Sequence, residues 1–123
     1  MPVAKGISGA CHCGRVRVTV PRRPRSVTDC NCSICRRYGV LWAYYTAGDV
    51  TVSGQGKTEA YKWGRKALDF VRCKTCGCLV CWRRVKKDPE RKMGVNWRLF
   101  PLALVEQTRI RKLDGAKWGG TSW

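Results

Sequence analysis

Acidic residues are scarce in this chain: eight Asp and Glu stand against 25 Lys and Arg, for a formal charge of +17. That imbalance creates a positive field that draws anions, whether nucleic acid, the acidic surface of another protein or a small polyanionic substrate. Long apolar runs are missing as well. None approaches the roughly 18 residues of a membrane-spanning helix, so no membrane association is expected. The N-terminus lacks the charged segment and the roughly 7–15 apolar residues of a secretory signal. This points to the cytoplasm, a reducing compartment in which thiols stay free. Repeats, low-complexity tracts and linkers are also absent, and 123 residues amount to one domain, so residues 1–123 read as a single unit. Such a unit would bury roughly 65–70% of the area its unfolded chain exposes. With 44% hydrophobic residues, six Trp, four Tyr and two Phe, it has the composition of a globular fold.

Cysteine, by contrast, is abundant. Nine occur, as the pair Cys11 and Cys13, the triplet Cys30, Cys32 and Cys35, and the pair Cys73 and Cys76 followed by Cys78 and Cys81. An odd count without a secretory signal argues against a disulfide framework. Cys-X-Cys neighbours cannot reach disulfide geometry without strain. Metal ligation is the expected role of the seven clustered cysteines.

The rest of the pattern is that of short strands. Residues 1–8 read as a leader. Residues 15–20 alternate polar and apolar between Gly14 and Pro21, the period of a half-buried strand. Residues 21–25 form a basic connector restricted by two prolines. Strands are expected over 40–46, 50–53 and 79–85, with a hairpin of 61–63 and 68–72 around Gly64 to Lys66. Residues 86–92 form a charged loop and 94–97 a short strand. Residues 102–107 form one helical turn or a loop, and 109–113 alternate weakly before the turn pair Asp114 and Gly115.

Cys73-X-X-Cys76-Gly77 has the spacing of a zinc knuckle, with a glycine to relax the turn. A knuckle is half of a site. Cys11-X-Cys13-Gly14 can supply the other half, since residues i and i+2 of an extended segment share a face. A closed four-thiolate zinc site of Cys11, Cys13, Cys73 and Cys76 would pin the N-terminal strand to the middle of the chain, and structural zinc binds small peptides with roughly 10–16 kcal/mol. Cys30, Cys32 and Cys35 are one ligand short of a tetrahedron. Either their zinc keeps an open position, where a substrate thiol could be held as its thiolate, or Cys78 or Cys81 closes a second structural site. Arg36 and Arg37 follow directly as counter-charge.

His12, between two ligands, is expected to point to solvent. Cys78 and Cys81 are expected as buried strand thiols. Trp42, Tyr44 and Trp97 are candidates for pocket wall or core. The basic runs 22–25, 83–87 and 109–112 are read as solvated surface.

Three ordered motifs, Gly9-X-Cys-X-Cys-Gly-X-Val16, Cys30-X-Cys-Ser-X-Cys-Arg36 and Cys73-X-X-Cys-Gly77, resemble the glutathione-dependent formaldehyde-activating enzyme family, which also contains centromere protein V. The resemblance runs from about Gly9 to Ala116. It implies an Mss4-like, mostly β fold of short antiparallel sheets stapled by two zinc ions per chain. Its structural ligands fall on Cys11, Cys13, Cys73 and Cys76, and its catalytic site on Cys30, Cys32 and Cys35. The implied reaction is a carbon–sulfur lyase equilibrium in which glutathione, as co-substrate, adds to formaldehyde to give S-hydroxymethylglutathione. Zinc at the triplet would lower the thiol pKa, the sulfur would attack the carbonyl, and cations such as Arg36 and Arg37 would hold the glutathione carboxylates. The chain departs from a typical member in its basicity and in having Cys78 and Cys81.

The charge also supports a second reading, a non-catalytic zinc-stabilised basic module that binds nucleic acid or acidic protein surfaces. A zinc ribbon from Cys32, Cys35, Cys73 and Cys76 is a poor version of it, because 37 residues separate the two pairs where roughly 15–20 are usual.

Overall fold

The computed structural model describes residues 6–62 and 66–118. It contains ten strands and two short α-helices among those residues, in two sheets. Strands β1 (Ile7–Ala10), β2 (Arg17–Val20) and β5 (Thr51–Val52) form the smaller sheet in the order β1-β2-β5. The larger sheet runs β10-β3-β4-β9-β8-β7-β6. Its members are β3 (Ser26–Cys30), β4 (Trp42–Thr46), β6 (Thr58–Tyr61), β7 (Leu68–Cys73), β8 (Leu79–Arg84), β9 (Lys92–Asn96) and β10 (Arg109–Leu113).

The fold is mostly β, as expected, and antiparallel with one exception. Strand β10 lies parallel to β3, in a register that sets Arg111 beside Thr28 and Leu113 beside Cys30. A parallel pair needs a long crossover, and here the two strands lie far apart in the chain.

Several boundaries shift. The expected leader holds β1, whose residues Ile7 to Ala10 pair with Val20 to Arg17. Strand β3 and helix α1 (Ser33–Tyr38) occupy the triplet region, where the sequence pattern indicated no element. Helix α1 is only six residues long and ends at Gly39, left-handed at φ 65°, whose N–H donates to the Cys35 carbonyl. A helix this short carries too few turns to show an amphipathic period. The hairpin strand expected over 61–63 sits instead at Thr58–Tyr61, while Trp63 and the Gly64–Arg65 part of the turn lie outside the described residues. Residues 102–107 resolve as helix α2 (Leu102–Glu106).

The large sheet separates two hydrophobic clusters. On β4, alternate side chains take opposite faces. Ala43 and Tyr45 pack with Val16, Val18, Val20, Val71, Val95 and Trp97. Trp42 and Tyr44 pack on the other side with Cys30, Cys35, Phe70 and Leu79. Trp97 is thus core: it is fully buried, stacks on Phe100 at 4.4 Å and donates from Nε1 to Thr108 Oγ1 at 3.0 Å.

The Trp82 indole lies directly on Gly94 of the neighbouring strand, in the space that a Cβ would occupy. Gly94→Ala must displace that ring. It should destabilise the fold by about 1–3 kcal/mol, read from denaturant unfolding monitored by tryptophan fluorescence, with metal content unchanged.

Candidate metal centres

Two turns of similar construction meet at the first cluster. In the β1–β2 turn the Cys11 N–H donates to the Val16 carbonyl and the Gly14 N–H to the Cys11 carbonyl, both at 3.0 Å. In the β7–β8 turn the Cys73 N–H donates to the Cys78 carbonyl and the Gly77 N–H to the Cys73 carbonyl, again both at 3.0 Å. Gly14 and Gly77 adopt φ of 83° and 79° with open space around each, so the constraint is backbone conformation rather than crowding.

These turns bring the sulfurs of Cys11, Cys13, Cys73 and Cys76 within 4.8 Å of one another. Cys13 Sγ lies 3.7 Å from that of Cys11 and 3.6 Å from that of Cys73. Four thiolates at a Zn–S distance of about 2.3 Å define a tetrahedron with edges of about 3.8 Å, so spacing and donor set both fit zinc. Backbone amides are aimed at the sulfurs, from Val16 to Cys11 at 3.3 Å and from Cys76 to Cys73 at 3.5 Å. The Cys76 thiol is pulled down to about 5, first by the Cys78 amide and then by that of Cys13. Cys13 is lowered by the backbone and side chain of Arg15, whose effects outweigh desolvation. Burial pushes Cys11 up to about 11. The protein's own dipoles therefore favour some of the thiolates but not all four, and a divalent cation would offset the remaining desolvation.

The second cluster lies on the opposite face of the large sheet. Cys30 ends β3, Cys32 precedes α1 and Cys35 lies within it; their sulfurs are also mutually within 4.8 Å. Burial raises Cys30 and Cys35. Burial acts in the same direction on Cys32, but the Cys35 amide and neighbouring donors outweigh it and hold that thiol low. The Trp42 indole donates to Cys35 Sγ at 3.3 Å, fixing a buried sulfur whose side chain the helix alone would leave unsupported.

No fourth ligand joins the triplet among the described residues. Cys81 is fully buried in the other cluster, where desolvation pushes its thiol up to about 12. Cys78 is half-buried and accepts from the His12 amide, which lowers its pKa, yet burial and the sulfurs of Cys76 and Cys73 raise it overall. It borders the four-cysteine group, so neither thiol closes the triplet. The His12 side chain is exposed, as expected.

Arg36 and Arg37 are exposed in the last turn of α1. The Arg37 guanidinium donates to the Ser33 carbonyl at 2.9 Å, so part of its donor set already serves the helix. Another cation reaches this face. Arg111 donates to Thr28 Oγ1 at 3.1 Å, and Thr28 in turn interacts with the Tyr44 phenol, which burial raises and the Thr28 hydroxyl partly lowers. Tyr44 packs edge-on to Trp82, with the Lys92 ammonium 4.8 Å from its ring centre. Trp42 and Tyr44 therefore flank the triplet, and Trp97 does not.

The triplet also depends on residues that local pattern did not single out. Asn31, between two of the cysteines, donates from its backbone to Leu113 and from its side chain to Asp114, and accepts from the Ala116 amide, at 3.0–3.1 Å. This places buried Gly115 against the cluster. A Cβ there would lie 2.5 Å from Cys30 Sγ and 3.2 Å from Cys32 Cβ. The turn pair Asp114 and Gly115 was the only sequence signal for it.

A family model described as glutathione-dependent formaldehyde-activating enzyme matches residues 6–104. A crystal structure of a Rhodobacter sphaeroides protein is similar to this chain, with 27% identity and a TM-score of 0.68, covering 85% of this chain and all of that one. No protein with a curated description matches the chain.

Gly115→Ala should push Cys30 and Cys32 apart while leaving the four-cysteine group intact. The variant should carry about one zinc fewer than the parent by metal analysis, as expected when a ligand set loses its geometry, and keep its far-ultraviolet circular dichroism.

Proposed function

This chain belongs to the glutathione-dependent formaldehyde-activating enzyme family, and on that premise we propose that it is a zinc-dependent carbon–sulfur lyase acting on glutathione adducts. The reaction joins the glutathione thiol to formaldehyde, or to a related small carbonyl, and reverses the same step. The observation that supports it best is a cluster of three thiols with no fourth protein ligand among the described residues. A closed four-ligand site holds structure, whereas three protein ligands leave a position for substrate.

Two zinc ions per chain are assigned, one to each cluster. The four-cysteine centre is structural, tying the β1–β2 turn to the β7–β8 turn. Zinc at the triplet would keep a substrate thiol ionised near neutral pH. The chain's own residues do the rest. Cys30, Cys32 and Cys35 hold three positions, and the Trp42 N–H fixes Cys35. Asn31 and Gly115 set the spacing of Cys30 and Cys32. Arg36, Arg37 and Arg111 offer guanidinium groups to the glutathione carboxylates, with Arg111 placed on the Thr28 side of the cluster by the parallel register of β10. As the sulfur–carbon bond forms, the carbonyl π pair moves to oxygen, which takes up the proton the thiol has given up. The reverse reaction returns it.

Because formaldehyde and thiols combine unaided, the test must measure acceleration. Exchange NMR with labelled formaldehyde and glutathione should show faster interconversion with the zinc-loaded chain than without it. Cys32→Ala should keep one zinc and the fold yet lose that acceleration by at least about tenfold, as removal of a group that positions the nucleophile does. Equal acceleration by the variant overturns the assignment of the triplet. No acceleration by the parent overturns the reaction itself.

A further inference from the structure

The connection from β8 to β9 gathers cations around a hollow remote in role from either cysteine cluster. Arg84, Lys86, Lys87 and Arg91, with Ala67, Val85 and Asp88, line a cavity of about 310 Å³. A second, of about 240 Å³, has Arg83 and Lys87 opposite the glycine turn at Gly54 and Gly56. Arg83 and Arg84 are successive strand residues and leave opposite faces of β8, so the two cavities flank that strand and Lys87 lines both.

None of these cations takes part in the ion pairs found among the described residues, which join Lys62 to Asp69, Arg72 to Glu59 and Lys112 to Asp29. The Arg84 Nε is shielded from solvent and has no hydrogen-bond partner. The single acid of the lining, Asp88, accepts at Oδ1 from the Glu90 amide at 3.0 Å, and the loop's other acid, Glu90, lies outside the lining. The loop is braced at several points. Val85 donates to the Ala67 carbonyl at 3.0 Å and Arg91 to that of Asp88 at 3.1 Å, while Ala47 and Gly48 each donate at 2.8 Å to the carbonyls of Arg91 and Pro89. Its charges are therefore held on a fixed backbone, which lowers the ordering cost of binding.

The lining is rich in N–H donors and has no aromatic platform among the described residues. Arg presents paired donors that match phosphoryl oxygens, and Lys adds compact charge. The larger volume is at the lower limit, about 300 Å³, of small-molecule sites. We propose that the β8–β9 cavity is a binding site for linked phosphoryl groups, the chemistry shared by inorganic tripolyphosphate and a nucleoside triphosphate. With no aromatic ring among the described lining residues to stack on a base, the site reads the phosphate chain. It stands apart from the lyase reading and holds whether or not that reading does.

The test is calorimetric titration of the full zinc-loaded chain at physiological salt with tripolyphosphate and, separately, with ATP. The two should bind within about threefold of each other and compete, and the double variant Lys87→Ala with Arg91→Ala should weaken both by about tenfold or more. Arg22→Ala with Arg25→Ala, which removes the same charge elsewhere, should change them by less than about twofold. An equal loss in the two double variants would mean that only the general field attracts the anion, and would overturn the site. Absence of binding overturns it too. So does tight binding of a single-stranded oligonucleotide that tripolyphosphate cannot displace, which would assign this surface to nucleic acid.

Discussion

Four sulfurs from two turns 60 residues apart must converge to the edge length of a zinc tetrahedron, and most of the molecule hangs on that meeting. One turn joins β1 to β2 and the other joins β7 to β8, so an ion shared by the four sulfurs would fasten the small sheet to the large one. Zinc held by such a group would contribute roughly 10–16 kcal/mol, as much as the whole net stability of a typical domain, about 5–15 kcal/mol. The buried Cys11 and Cys73 are thus part of the hydrophobic core as well as candidate ligands. Burial raises the Cys11 thiol, a desolvation cost that a bound cation would offset.

The large sheet then divides the molecule into two sides, one for each cysteine cluster. One face packs against the small sheet and the four-cysteine centre. The other carries the triplet with Trp42, Tyr44, Phe70 and Trp82. Because pleated side chains alternate, a single strand such as β4 serves both faces. Strand β10 completes the triplet side: its register against β3 places Leu113 beside Cys30, and the residues after it lay Gly115 on the cluster. These residues lie beyond position 104, where the family match ends. The surroundings of the triplet are therefore built partly from residues outside the matched range.

The excess of positive charge is distributed rather than paired. Three ion pairs are found among the described residues, and such exposed pairs contribute at most about 1 kcal/mol each. Self-repulsion of the remaining cations weakens the compact state, an effect that thiolate ligands moderate and bound anions would moderate further. The charge is thus the property most open to a ligand.

What the amino-acid sequence determined by itself is local. Cysteine spacing and the glycine after each pair set the two turn geometries, because three or four bonded residues suffice to aim two sulfurs. Period-2 alternation marked β2, and runs of β-forming residues marked β4 and β8. Pairing Cys11 and Cys13 with Cys73 and Cys76 followed from counting ligands, and the assembled cluster agrees with it. Strand β3 and helix α1 stayed hidden, since five and six residues crowded with ligands carry no readable period. Only the tertiary structure decided that β10 runs parallel to β3, that Trp42 holds Cys35, that Gly115 covers Cys30 and that Cys81 faces away from the triplet. The β10–β3 pairing and the approach of Gly115 join segments distant in sequence, whereas the Trp42–Cys35 bond spans seven residues; all of them depend on which face a strand presents and which neighbour it pairs with, and no local pattern encodes either.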